Sequence, residues 1–89
     1  MASLSLENTN RISELQQELA AFFTDELNLS VPSIDVDLVG TGMLDSLGLV
    51  ELLVYLEHRF GVVVSLEKLE LEHFRSILTI AEFILQYGG

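Results

Sequence analysis

Cysteine is absent from this chain, proline occurs once, and only four residues are lysine or arginine. Without cysteine there is no disulfide scaffold and no thiolate zinc site; the composition fits a reducing compartment, and a cytoplasmic location is expected. The shortage of basic residues, set against 14 acidic ones, leaves a formal charge of −10. Such a surface repels nucleic-acid phosphates and anionic membranes and favours basic patches on protein partners. No apolar run is longer than the five residues of Leu52 to Leu56, far too short to cross a bilayer, so no membrane insertion is expected. No stretch near the N-terminus reads as basic and then apolar, so no secretory signal is expected. His58 and His73 stand without a second histidine or a cysteine at ligand spacing. Asp35-x-Asp37-x-x-Gly40 resembles the opening of a calcium loop, but Val39 and Ser46 occupy two of its ligand positions. No metal site is expected.

What is present is apolar residue at helical spacing. Nearly half of the 89 residues are apolar, enough for the core of one small domain. Residues 1–8 carry no strong pattern and read as a loose lead-in to a domain over 9–87. From Thr9 to about Asn28, Ile12, Leu15, Leu19, Phe22, Phe23 and Leu27 recur on one side of a helix. Arg11, Glu14, Gln17, Glu18 and Asp25 take the other side. Residues 29–45 hold the only proline and no helical period, and read as a long loop anchored by Val31, Ile34, Val36 and Leu38. A second helix is predicted from Ser46 to Phe60, stopped by Gly61. Ser65 can cap a short helix over 66–72, and Ser76 a last one through Tyr87, with Ile77, Ile80, Ala81, Ile84 and Tyr87 on one face. The expectation is an all-α fold, a small bundle of three longer helices and one short helix.

The second helix carries the chemistry. Gly40 and Gly42 let the approach turn, Asp45 is the right type to cap the helix, and Ser46 stands at its positive end. Free N–H groups there favour a phosphate, so the Ser46 hydroxyl is well placed to carry a phosphodiester. Leu49, Leu52, Leu53, Leu56 and Phe60 suffice as a buried stripe. Leu47, Val50 and Val54 are then left on or near the other side beside Glu51 and Glu57, either as a docking face or because the helix is central and buried all round. Ser46-Leu47-Gly48 matches half of a Gly-x-Ser-x-Gly elbow, but Leu44 replaces the first glycine and no sheet supports it. No catalytic residue is expected.

Gly42-Met-Leu-Asp45-Ser46-Leu47, followed by Val50-Glu51-Leu52 and Leu56-Glu57…Phe60-Gly61-Val62, resembles the acyl carrier proteins, or phosphopantetheine-binding carriers. The resemblance covers about residues 9–87. It implies that Ser46 receives 4′-phosphopantetheine from coenzyme A through a phosphopantetheinyl transferase, with Asp45 as the acidic neighbour in the motif. It implies a non-enzymatic, monomeric carrier whose cargo is a thioester on the arm, presented to a loading enzyme (an adenylating enzyme or an acyltransferase) and to a downstream synthase or transferase. Leu47, Val50, Glu51, Val54 and Glu57 fall at positions that face partners in such proteins. His58-Arg59 and Gly48 depart from the acidic or polar residues usual in fatty-acid carriers. Gly42 to Gly48 and Leu71 to Ile77 look like discrete carriers of polyketide and nonribosomal peptide pathways or D-alanyl carriers. The chain therefore reads as a freestanding carrier of secondary metabolism. The alternatives are a D-alanyl carrier and a non-carrier acidic module that binds a basic partner.

Overall fold

In the computed structural model, residues 2–65, 67 and 69–87 are described, with backbone alone for 2–10. Among the described residues, three α-helices, α1 (Ala2–Leu27), α2 (Ser46–Phe60) and α3 (Ile77–Tyr87), and a 3-10 turn at Leu71–Phe74 make the fold. No strand occurs among the described residues. The chain is all-α, as its hydrophobic periods require.

The apolar stripes meet in one core. Leu15, Leu19, Phe22 and Phe23 of α1, Leu52 and Leu56 of α2, and Ile77, Ile80, Ala81 and Ile84 of α3 are buried there with Phe74. Fully burying a leucine or phenylalanine contributes about 2 kcal/mol, so these side chains supply most of the driving force for closing the bundle. Tyr87 departs from the spacing: it is 58% exposed, with its ring 4.8 Å from that of Phe83. Tyr87 lies in the last turn of α3, past Ile84, the last residue of that stripe to reach the core.

Helix ends follow local chemistry. α1 begins at Ala2, seven positions before the expected Thr9 (9 − 2 = 7). Residues 2–8 contain neither glycine nor proline, so an established helix extends through them at small cost per residue. α1 closes where Asn28 takes a left-handed φ of 56° and the Leu29 N–H donates to the Phe23 carbonyl at 2.8 Å. α2 closes the same way, with Gly61 at φ 72° and the Val62 N–H donating to Leu56 O at 3.3 Å. At the start of α3 the cap is reciprocal: Ser76 Oγ accepts from the Thr79 N–H at 3.2 Å, and Thr79 Oγ1 from the Ser76 N–H at 3.0 Å. Of the short helix expected over 66–72, Glu67 is in 3-10 conformation and Leu69 and Glu70 are not helical, while a 3-10 turn runs Leu71–Phe74, in which Phe74 is buried. Ser65 Oγ does accept from the Glu67 N–H at 3.3 Å, while Leu66 and Lys68 of that expectation lie outside the described residues.

The long loop is pinned rather than free. Leu38 and Leu44 are buried, and Val31, Val36 and Met43 pack on the core. Ile34 is the exception among the expected anchors, since its side chain is exposed while its carbonyl accepts from the Leu78 N–H at 3.0 Å. The Leu38 N–H donates to the Arg75 carbonyl at 2.6 Å. Asp37 adds a side-chain tie: it accepts from the Gly40 N–H at 2.8 Å and pairs with Arg75 at 3.0 Å. These contacts hold its carboxyl below the usual value of 3.8, the Gly40 N–H first and the Arg75 guanidinium after it. The aspartate that resembled a calcium ligand is thus a loop staple, and no group of potential metal ligands gathers among the described residues.

Candidate functional site

The pinned loop delivers the chain to α2 at Gly42, whose φ of 78° turns it, and at Leu44, whose burial anchors it. Asp45 follows in extended conformation, and its Oδ1 accepts from the Gly48 N–H at 2.7 Å. Its backbone carbonyl accepts from the Leu49 N–H at 2.8 Å. Asp45 is therefore the N-cap, as its position in the sequence implied. Gly48 is buried because the cap folds over it: a Cβ there would stand 3.1 Å from Asp45 Oδ1 and 3.2 Å from Leu44 Cδ1. The unusual glycine belongs to the cap.

Ser46 is the first residue of α2 and is exposed. The cap takes up the third N–H of the helix, and the first-turn amides of Ser46 and Leu47 stand where helix geometry supplies no internal acceptor. An exposed hydroxyl, the positive helix end and open surroundings together fit a phosphodiester at Ser46 Oγ.

Below Ser46, α2 separates into two sides. Leu52 and Leu56 are fully buried, with Leu49, Leu53 and Phe60 half-buried beside them. Leu47, Val50 and Val54 are 70%, 46% and 53% exposed, and Glu51 and Glu57 are exposed with them. The choice left open by the periodicity is settled: α2 is not buried all round but turns a carboxylate-edged apolar side to solvent.

The sequence missed the link between α1 and α2. Glu18, placed by its spacing on the polar side of α1, accepts from the Tyr55 hydroxyl and pairs with Arg59 Nε at 2.7 Å. The rings of Phe22 and Tyr55 stack at 4.4 Å just above it. Burial, and then the hydrogen bond to Glu18, push the Tyr55 hydroxyl above its ordinary value of 10. Arg59, a departure from the usual acidic character at that position, thus has an internal partner. The signal was faint: an acidic residue on one helix and a tyrosine–arginine pair four apart on another.

A family model for the phosphopantetheine attachment site matches residues 17–84. The chain belongs to this family of phosphopantetheine-binding carriers. The match runs from within α1 to within α3 and contains all of α2 and the Asp45-Ser46 corner. Proteins of this family carry 4′-phosphopantetheine and are not catalysts; they hold substrates for enzymes, and so meet a phosphopantetheinyl transferase and the enzymes that use the cargo. A comparison with curated proteins finds no match. No helix among the described residues is long and apolar enough to cross a membrane.

Proposed function

We propose that Ser46 is the attachment residue of this carrier, within a functional domain spanning 9–87. The observation that carries this reading is an exposed serine at the first position of a capped helix, inside the matched segment. The Ser46 hydroxyl is the nucleophile: its Oγ forms a phosphoester bond as the phosphoanhydride of coenzyme A breaks, adenosine 3′,5′-bisphosphate departs as the leaving group, and the hydroxyl proton leaves to the transferase. When bound, the group supplies the thiol that the chain lacks and on which an acyl or aminoacyl cargo is held. Asp45 fixes the helix start and thereby the direction in which the hydroxyl leaves the surface. Leu47, Val50, Glu51, Val54 and Glu57 form the partner-binding face, where the apolar side chains bury area and the two carboxylates meet basic residues.

The resemblance of Gly42 to Gly48 and of Leu71 to Ile77 supports a discrete carrier of polyketide or nonribosomal peptide type, working as a monomer in the cytoplasm where coenzyme A is supplied. Co-expression with a broad-specificity phosphopantetheinyl transferase tests the attachment. Intact mass should rise by one phosphopantetheine, and Ser46→Ala should abolish the rise; a rise that survives the substitution refutes the assignment. Loading trials of the modified protein with purified adenylating enzymes and acyltransferases then test the pathway class.

A further inference from the structure

Between α1 and α2 lies an open groove of about 620 Å³. Phe22 from α1 and Val50, Val54 and Tyr55 from α2 give it an apolar floor. Asp25 and Glu26 on the α1 side and Glu51 on the α2 side give it a rim of carboxylates. Glu18 at the far end is already engaged by Tyr55 and Arg59, whereas none of the three rim carboxylates forms an ion pair among the described residues. A smaller cleft of about 210 Å³, bounded by Asp45, Leu47 and Gly48, shares Glu26 and Glu51 with the groove. The two adjoin at these carboxylates, and the smaller cleft is lined by both chain neighbours of Ser46, Asp45 and Leu47. Ser46, Val50 and Val54 follow one another at i, i+4 and i+8, down neighbouring positions of one side of α2, and span about 12 Å along its axis.

We propose that this groove is the resting site of the cargo carried on Ser46, and that it takes an aminoacyl group with an apolar side chain. The inference rests on Ser46 as the attachment residue. The side chain of the cargo covers Val50, Val54 and Phe22, and its ammonium lies among Asp25, Glu26 and Glu51. A neutral acyl chain would cover the same floor and leave the carboxylates without a counter-charge. A cargo ending in a carboxylate would be repelled by the rim and by the acidic protein as a whole. The cleft lined by Val62, Val64, His73 and Phe83 shares no lining residue with the groove or with the smaller cleft beside Ser46. Because the rim is open to solvent, the charge contributes modestly: the docked-to-undocked ratio should favour the aminoacyl form by about threefold over its uncharged counterpart.

The test uses the full chain bearing a phosphopantetheine arm whose terminal thiol is replaced by an amine, acylated as a non-hydrolysing amide with leucine or with 4-methylpentanoate, the same cargo without its amino group. Intact mass first reads attachment at Ser46, and amide NMR shifts then read docking. The leucyl form is expected to shift the amides of Ala21, Phe22, Asp25, Val50 and Val54 more than the 4-methylpentanoyl form does. High salt, or the combined D25N, E26Q and E51Q substitutions, should remove the difference. Equal shifts from the two cargoes would overturn the aminoacyl assignment. Unmoved groove amides, or shifts at Val62 and His73 instead, on protein with the full mass gain would overturn the groove alone. Absence of the mass gain would overturn the attachment at Ser46 and this proposal with it.

Discussion

Replacing Asp45 with alanine removes one acceptor, Oδ1, from one donor, the Gly48 N–H at 2.7 Å. Loss of an N-cap of this type costs about 1 kcal/mol, within a range of roughly 0.5–2. For a domain of this size that corresponds to a fall in Tm of about 4–8 °C. Asp45→Asn keeps an oxygen at the same place and gives up only the charge, so it should cost no more than about 0.5 kcal/mol. Circular dichroism with heat and with urea measures both variants, and the urea slope should stay unchanged because the surface exposed on unfolding is the same. The loss is also readable at its source. If 1 kcal/mol is removed from the first turn, the Gly48 amide should exchange its hydrogen about fivefold faster, while amides near Leu56 change less. A D45A protein as stable as the parent, with Gly48 exchange unaltered, would refute the cap as the element that sets the helix start. Equal destabilisation by D45A and D45N would show that charge, not the acceptor, holds it.

Val50→Asp should leave the helical spectrum intact and slow loading by a partner enzyme, because Val50 is exposed on the side opposite the core stripe; equal loading rates would count against this face as the interface. Asp37 has a depressed folded value, so its stabilisation is present above 3.8 and is lost as pH falls through the lower folded value. Asp37→Asn should therefore lower stability near neutral pH and flatten the acid limb below pH 3.8, as read by urea midpoints across pH. Tyr55→Phe should lower stability by about 1 kcal/mol through loss of the hydrogen bond to Glu18. The raised Tyr55 value makes its contribution full below pH 10 and lost only as pH rises through the higher folded value. The parent should thus lose stability above pH 10 more steeply than Y55F in alkaline denaturation.

Much of this protein is written in local patterns. The helical period of Leu15, Leu19, Phe22 and Phe23, the stripe of Leu52 and Leu56, and the run Ile77, Ile80, Ala81, Ile84 all reach the core, because an apolar stripe must find another to be covered. Asp45, Ser46 and Ser76 were legible as helix-start residues, since capping involves groups three residues apart. Periodicity could not choose between a buried and an exposed Leu47–Val50–Val54 side. That depends on how many neighbours α2 has, and a helix covered on one side only leaves the other in water. Nor could it show that Glu18 meets Tyr55 and Arg59, or that Arg75 meets Asp37, residue pairs 37 to 41 apart in the chain. It gave no notice of the groove between α1 and α2, whose floor and rim come from both helices. By itself, the order of residues determined the three longer helices, the bounds of α2 and α3 and the serine at a helix start, but neither the start of α1 nor the place of the 3-10 turn. Only the packing of the three helices and the long loop into one core decided which apolar side chains of α2 stay exposed and what lies beside that serine, because contacts between distant segments exist only once the chain has closed on its core.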